Sequence, residues 1–160
     1  MPEMADPMDA LRKLQTALNR GTVQLHVCDI YPELHMVADQ PAGKPRFTYA
    51  KIEKGKVLSI SLFVHVDAVD RVPCFQIGYA VVESKRQQGM ASEIVAKGIE
   101  EMVNGFKKRG SGKFYVEAIV AESNAPSNKV ARRSLSGAPK PCVDAFSAEP
   151  SMQYLRLVEF

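Results

Sequence analysis

The residues with the clearest chemical potential lie where a predicted strand runs into a predicted helix. There the sequence reads Arg86-Gln87-Gln88-Gly89-Met90-Ala91, the pattern R-x-x-G-x-A, and an amphipathic helical pattern follows. The first turn of a helix presents unpaired backbone N–H groups and a partial positive charge, which attract phosphate groups. Gly89 would let a ligand approach the backbone closely, and Arg86 would add a positive charge. The junction therefore predicts a pyrophosphate-binding loop, although it matches neither the dinucleotide-binding nor the P-loop pattern.

A second motif follows the next predicted strand. It reads Asn124-Ala125-Pro126-Ser127 and continues as Asn128-Lys129-Val130-Ala131-Arg132-Arg133 into a short basic helix. The combined order is strand, R-x-x-G-x-A, helix, strand, N-x-x-S, helix. In this order and spacing the chain resembles the GNAT superfamily of acetyl-coenzyme A dependent N-acetyltransferases. The form N-x-x-S-x-x-V-A is most similar to the branch that includes the ribosomal-protein alanine acetyltransferases.

The resemblance implies where acetyl-coenzyme A would bind. The pantetheine arm is expected to pair with the backbone of residues 79–81, in a wedge between that strand and the strand 113–121. The loop amides would wrap the pyrophosphate, and Asn124 would hydrogen-bond to pantetheine or to neighbouring backbone. Lys129, Arg132 and Arg133 would either meet the nucleotide phosphate or form a solvated basic face. The expected cofactor-binding residues are Tyr79, Ala80, Val81, Arg86, Gln87, Gln88, Gly89, Met90, Ala91, Ser92 and Asn124.

Direct acetyl transfer to an amine needs a base for the ammonium and a donor for the developing oxyanion. A backbone N–H near Val81 is the expected oxyanion donor. Glu117 is the first candidate base, because it lies in mid-strand beside the expected wedge; its alternative role is a structural hydrogen bond or salt bridge. The other candidates are Glu83, His26, His35 and His65.

The departing thiolate also needs a proton. Many members of the superfamily carry a tyrosine acid in the short helix, but here that position falls near Ala131, so this acid is missing. Ser127 is the predicted replacement, either as the acid or only as a cap of the helix. Tyr115, Tyr154 and water are the alternatives.

The predicted acceptor is a primary amine of a small molecule or a protein. Its pocket is expected to lie between the segments Ile30–Phe47 and Cys142–Tyr154, and the conformation of residues 136–151 is left open. These segments offer Tyr31, Glu33, His35, Asp144 and Glu149 to a cationic amine. The sequence does not distinguish a peptide N-terminus, a lysine, a polyamine, an aminoglycoside or a transfer-RNA-bound amino acid. The missing tyrosine acid keeps a second function open, a GNAT-like module that binds coenzyme A or a protein partner without transfer.

Hydrophobic periodicity predicts the elements that must position these groups. The predicted strands are Thr22–Cys28, Arg46–Ile52, Val57–Val66, Cys74–Val82, Lys113–Ala121 and Met152–Phe160. The predicted helices are Pro7–Asn19, one from Gly89 to near Gly110-Ser111-Gly112, and Ser127–Leu135. Tyr31–Pro45 is predicted to be mostly loop, and Glu53-Lys54-Gly55-Lys56 a hairpin turn. The order predicts an α/β (α+β) fold in a single domain over residues 1–160, and the resemblance implies a GNAT-type mixed, mostly antiparallel sheet splayed around the cofactor with flanking helices.

Composition excludes several classes of protein. The chain has 160 residues, 46% of them hydrophobic and 24% charged, which is ordinary for a globular domain, and a net charge of +3 argues against nucleic acid as the main partner. The Cys residues (28, 74 and 142) and His residues (26, 35 and 65) lack the close spacing of metal ligands, so no metal is predicted. No apolar run is long enough for a membrane span, and Met1–Asp9 lacks the features of a signal peptide. A cytoplasmic protein with reduced thiols is expected, and a homodimer stays open.

Overall fold

A computed structural model describes residues 6–110, 112–145 and 147–160 of the chain. The helices are α1 (Pro7–Arg20), α2 (Met90–Lys108) and α3 (Ala125–Ser134). The strands are β1 (His26–Val27), β2 (Leu34–Asp39), β3 (Arg46–Glu53), β4 (Lys56–Val69), β5 (Val72–Val81), β6 (Lys113–Ala121), β7 (Lys140–Val143) and β8 (Pro150–Glu159). Within the described ranges these eight strands form one sheet in the order β1-β2-β3-β4-β5-β6-β8-β7. All neighbouring pairs are antiparallel except β5 and β6, which are parallel.

Helix α1 covers one face of the sheet, here called the α1 face. Its first turn is capped by Asp6, whose side chain accepts a hydrogen bond from the Met8 amide, and it ends at Gly21 with φ 66°. Leu11 is buried against Ile60 of β4 and neighbouring apolar side chains. The helix packs on β4 and β5.

Helices α2 and α3 pack on the opposite face, here called the α2 face. The apolar stripe of α2, which includes Ile94 and Ile99, is buried in the main core. Gly98 allows the close approach of α2 to β4, since a Cβ there would lie 2.7 Å from Ser61 Oγ. The Ser61 hydroxyl donates to the carbonyl oxygen of Ile94 at 3.1 Å, which fixes the height of the helix over the sheet.

The predicted fold class is confirmed, and so are most of the elements. The helices at both motifs, the β3–β4 hairpin, β5, β6 and β8 all occur within a few residues of their predicted limits. The hairpin turn uses Lys54 and Gly55 at positive φ, 51° and 75°. Ser111, in the predicted end of the second helix, lies outside the described residues, and so do residues 1–5. The single domain over residues 1–160 therefore stays a prediction.

Two predictions of local structure were wrong. The strand predicted for Thr22–Cys28 is reduced to His26–Val27, and the Val27 side chain is 62% exposed. The segment predicted as loop contains β2, because Leu34–Asp39 pairs with β3 through six residues. Strand β7 falls in residues 136–151, for which no conformation is predicted; residues 140–143 pair antiparallel with the start of β8.

Among the described residues, no helix is both long and apolar enough to cross a membrane.

Candidate functional site

Strands β5 and β6 separate part-way along their length and leave an opening in the sheet, here called the wedge. They pair only where Cys74–Gln76 meets Tyr115–Glu117. Beyond that point β5 continues to Val81 and β6 to Ala121, and within the described residues the two strands no longer pair with each other. The wedge therefore exposes the backbone of both strands, and Glu117 lies at its apex.

The backbone of β5 is oriented to bond a ligand in the wedge. The amide of Val82 donates to the carbonyl oxygen of Leu58 on β4 at 2.9 Å. Because hydrogen bonding alternates along an antiparallel strand, the amides of Tyr79 and Val81 point the other way, into the wedge. An extended ligand chain would find unpaired donors there, as an added strand does at a sheet edge.

The loop between β5 and α2 presents the unpaired start of the helix. Gly89 is the N-cap with φ 76° and supplies no capping side chain, so the amides of Met90, Ala91 and Ser92 are not capped. Gln87 also has positive φ, 63°, which costs a non-glycine residue about 1–2 kcal/mol. Such strain in an exposed loop is typical of functional sites.

Arg86 anchors this loop to the end of β5. Its Nε donates to the carbonyl oxygen of Val81 at 3.2 Å. The side chain thus keeps its charge beside the open end of the wedge.

The N-terminal turn of α3 forms the other side of the wedge. Asn124 is its N-cap, and the side-chain Oδ1 accepts from the Ser127 amide at 3.2 Å. The alternative that Ser127 caps the helix was therefore wrong, because Ser127 lies three positions inside it. The Ser127 hydroxyl makes no hydrogen bond within the described part of the chain.

A tyrosine side chain crosses from β5 to α3. The Tyr79 hydroxyl donates to the carbonyl oxygen of Ser127 at 2.7 Å. Burial raises the pKa of Tyr79 above its usual value, so the hydroxyl stays protonated at neutral pH. Tyr79 is thus a structural bridge on the α2 face of the wedge, in addition to its predicted backbone role.

Sequence reasoning missed a buried polar network behind this bridge. Asn128 is 8% exposed; its Nδ2 donates to the carbonyl oxygens of Ala121 and Asn124, and its Oδ1 accepts from Tyr154 at 2.6 Å. The hydroxyl of the fully buried Tyr154 is therefore occupied, which removes it as a candidate acid. An amide on the apolar face of the predicted helix, three positions before Ala131, was the available signal.

Glu117 lies on the α1 face, opposite Gln76 and beyond the area that α1 covers. The side chain is half-buried, and its Oε2 accepts from Nε2 of Gln153 on β8 at 2.6 Å. The structural hydrogen bond considered as its alternative role is therefore present. This single hydrogen bond holds the Glu117 carboxylate in one orientation, and the remaining lone pairs of its two oxygens can still accept hydrogen bonds.

The other candidate bases lie in less suitable places. Glu83 is exposed in a short 3-10 turn of the loop. His65 packs against Phe75 on the α2 face, with the rings tilted and their centroids 5.3 Å apart. His26 and His35 belong to β1 and β2, and β3, β4 and β5 separate them from β6.

The predicted acceptor pocket is not formed as expected. Residues 30–47 lie on the β1–β3 side of the sheet and residues 142–154 on the β7–β8 side, with β4, β5 and β6 between them. The Tyr31 hydroxyl donates to Glu100, and Glu33 pairs with Lys97 at 2.8 Å, so both side chains bind α2. Asp144 and Glu149 lie in the β7–β8 turn, on the same half of the sheet as Glu117.

The basic residues predicted either to meet the nucleotide phosphate or to form a solvated face lie on α3. Lys129, Arg132 and Arg133 are exposed on α3, and they form no ion pair in the ranges that the structure describes. Within those ranges, no group of three or more His, Cys, Asp or Glu side chains could hold a metal ion. The independence of metal stays a prediction.

A mixed sheet with a parallel strand pair that splays beside an uncapped helix start is the fold of the GNAT acetyltransferases. The resemblance inferred from the two motifs is thus confirmed at the level of the fold.

The solved structures that share this fold include RimL and RimJ. RimL, a ribosomal L7/L12 alpha-N-protein acetyltransferase, aligns without ligand at a TM-score of 0.51 and 20% identity, over 72% of this chain and 71% of that chain. The complex of RimL with coenzyme A aligns at a TM-score of 0.50 and 19% identity, over 71% of this chain and 62% of that chain. Mycobacterium smegmatis RimJ in complex with CoA-disulfide aligns at a TM-score of 0.53 and 16% identity, over 73% of this chain and 55% of that chain. The alignment thus spans less than two thirds of the last two chains. No family model and no curated protein matches the sequence.

Proposed function

We propose that this protein is an N-acetyltransferase that moves the acetyl group of acetyl-coenzyme A directly to a primary amine. The wedge between β5 and β6 carries the proposal, because it opens beside the uncapped start of α2. The neighbours crystallised with coenzyme A or its disulfide support the same class of ligand. Cofactor binding at this site is part of the proposal.

The residues present fit a pantetheine pyrophosphate. Wedge-facing amides of Tyr79 and Val81 would hold the arm, and the amides of residues 89–92 would hold the pyrophosphate. Asn124 acts by shaping α3, since its side chain is committed to the cap. When bound, the cofactor supplies an activated acetyl thioester.

Glu117 is the proposed base. It lies at the wedge apex on a face that α1 leaves uncovered, so an amine can approach it from solvent. Gln153 holds the carboxylate by its 2.6 Å hydrogen bond, which fixes the oxygen that takes the proton. The amide of Val81 is the proposed donor to the developing negative charge on oxygen.

The proton for the leaving thiolate has two candidate sources in the chain. The Ser127 hydroxyl is unengaged and lies in the first turn of α3. Tyr115 lies two residues before Glu117 on the α1 face. Ala131, where many relatives have the tyrosine acid, is fully buried in the core, so a tyrosine would not fit there.

A protein N-terminus is the first acceptor to test, because RimL modifies the N-terminus of a ribosomal protein. The assay would mix the protein, acetyl-coenzyme A and a panel of peptides, lysine analogues, polyamines and aminoglycosides, and would measure released thiol and acetylated product. Amine-dependent thiol release that is lost in Glu117→Gln is the expected result.

The second candidate function is a coenzyme A-binding module, and the buried Ala131 favours it. It would be established by tight cofactor binding without thiol release for any amine. Absence of cofactor binding would contradict both functions.

A further inference from the structure

A second concave site lies under the C-terminal half of α2. It is a cavity of about 330 Å³, between this helix and strands β1–β3. Its apolar walls are formed by Met36, Phe47, Met102 and Phe106. Gly105 also faces it, and a Cβ built at Gly105 would have no atom within 4 Å. The volume is at the small end of the range for ligand pockets.

The cavity is separate from the wedge. The α2 residues that line it begin 12 positions after Gly89, which places them roughly 18 Å or more along the helix. Helix α2 itself packs on β4 and β5, between the cavity and the wedge. A ligand here would not be the acetyl acceptor, and the inference does not depend on the proposed function.

One wall of the cavity contains a buried carboxylate without a counter-ion. Glu101 is 6% exposed, and its oxygens accept only from the backbone amides of Ile30 and Tyr31, at 2.8–3.2 Å. No Lys, Arg or His of the described residues lies within ion-pair distance of it. Asp29, also in the lining, pairs instead with Lys108 at 2.6 Å. These hydrogen bonds offset part of the cost of burying the carboxylate, and a cation beside it would offset more.

A second group in the lining lacks a partner. Tyr49 is 6% exposed, and its hydroxyl makes no hydrogen bond within the described residues. Burial raises the pKa of Tyr49, and the charge of Glu101 raises it further. The pKa of the Cys28 thiol, also in the lining, is raised to about 12. The main cause is burial, and the negative charges of Glu101, Asp29 and Glu33 add to it. Glu101 is therefore the carboxylate whose charge acts on both of these buried groups.

We propose that this cavity binds a small organic amine with an apolar or aromatic body. The ammonium group would lie against the Glu101 carboxylate and donate to the Tyr49 hydroxyl oxygen, which supplies both missing partners. The body would lie between Phe47 and Phe106, whose ring faces favour a neighbouring cation. Arg109 and His26 lie at the exposed rim and leave room for a carboxylate at the outer end of the ligand.

Three ligands of similar shape but different charge test whether the cavity prefers a cation. The protein labelled on its methionine methyl groups would be titrated with 2-phenylethylamine, 2-phenylethanol and 3-phenylpropanoate. We expect saturable shifts of Met36 and Met102 with the amine, and much weaker binding of the alcohol and the carboxylate. No saturable shift with the amine at millimolar concentration, or equal binding of the carboxylate, would overturn the proposal.

Two variants locate the binding. Glu101→Gln should weaken amine binding at least tenfold, whereas the matched control Glu100→Gln, an exposed neighbour outside the cavity, should not. Gly105→Leu should abolish binding by filling the cavity while keeping the helix, since leucine favours helix more than glycine. Unchanged affinity in either Glu101→Gln or Gly105→Leu refutes the site.

Discussion

The Tyr79 hydroxyl of β5 donates a hydrogen bond to the Ser127 carbonyl oxygen of α3 at 2.7 Å, across the place where β5 and β6 separate. The two strands share no backbone hydrogen bonds there, so the tyrosine replaces part of the lost pairing. A side chain on one face can bridge the gap while the backbone amides remain available in the plane of the sheet. The bridge thus ties β5 to α3 beside the wedge.

Replacing this hydroxyl should cost stability. Tyr79→Phe removes the donor of this hydrogen bond, so we expect the free energy of unfolding to fall by about 1 kcal/mol. Urea denaturation would measure it. The control is Tyr115→Phe, on the opposite face, whose hydroxyl makes no hydrogen bond in the described residues. Equal losses in the two variants would contradict a bridging role.

Gly89 should be required for cofactor binding. In Gly89→Val, the φ of 76° becomes strained and a side chain enters the space beside the helix start, so calorimetry should show affinity for acetyl-coenzyme A reduced more than tenfold, about 1.4 kcal/mol. Gly43→Val is the matched control, because Gly43 has φ 77° in a loop remote from the wedge. Unaltered affinity in Gly89→Val would remove the loop from the binding site.

Glu117 should control turnover rather than cofactor binding. Glu117→Gln keeps the shape but cannot take the proton, and we expect turnover to fall by ~10²-fold with cofactor affinity nearly unchanged. Gln153→Leu should also lower turnover, but less, since it releases the carboxylate without removing it. The control is Glu122→Gln, an exposed carboxylate just beyond β6. Normal turnover in Glu117→Gln would exclude Glu117 as the base.

Substitutions of Asn124 and Ser127 should affect different quantities, the first stability and the second kcat. Asn124 caps α3, so Asn124→Ala should lower the free energy of unfolding by roughly 0.5–2 kcal/mol. The Ser127 hydroxyl has no partner, so Ser127→Ala should leave stability intact and lower kcat if it protonates the thiolate. Thermal denaturation and steady-state kinetics would separate the two effects. Full turnover in Ser127→Ala would assign the proton to Tyr115 or water.

Stability should fall in alkaline solution. Burial, with Glu101 and other carboxylates, raises the pKa of Cys28 to about 12, and burial with Glu117 raises that of Cys74 to about 12. An unfolded thiol ionises near pH 8.5, so between that pH and 12 the unfolded state loses protons that the folded state keeps, and stability falls by up to about 1.4 kcal/mol per pH unit for each thiol. Urea midpoints at pH 8 and 10 would measure this fall. Cys28→Ala and Cys74→Ala should each make it shallower, and an unchanged fall in both would contradict the assignment.

Local sequence determined the elements that carry the two motifs. The apolar residues alternate along β5 and β6 and recur with helical spacing along α2. This spacing can be recognised within each segment, without knowledge of its distant partners. Gly89 likewise marks the start of α2, where only a residue that tolerates positive φ fits easily. The wedge itself was expected only through the resemblance to a known family.

Tertiary structure decided the rest, because the remaining features depend on partners far apart in the chain. Leu34–Asp39 is extended because β3 offers it six backbone partners; the prolines that suggested a loop lie outside this strand. The Glu117–Gln153 hydrogen bond exists because β8 runs antiparallel to β6. Glu101 is buried because α2 packs against the segment that contains Ile30 and Tyr31, and the sequence around Glu101 does not show which distant groups it will meet. The sequence by itself therefore determined which segments form the motifs, and only the packed sheet decided how they face one another.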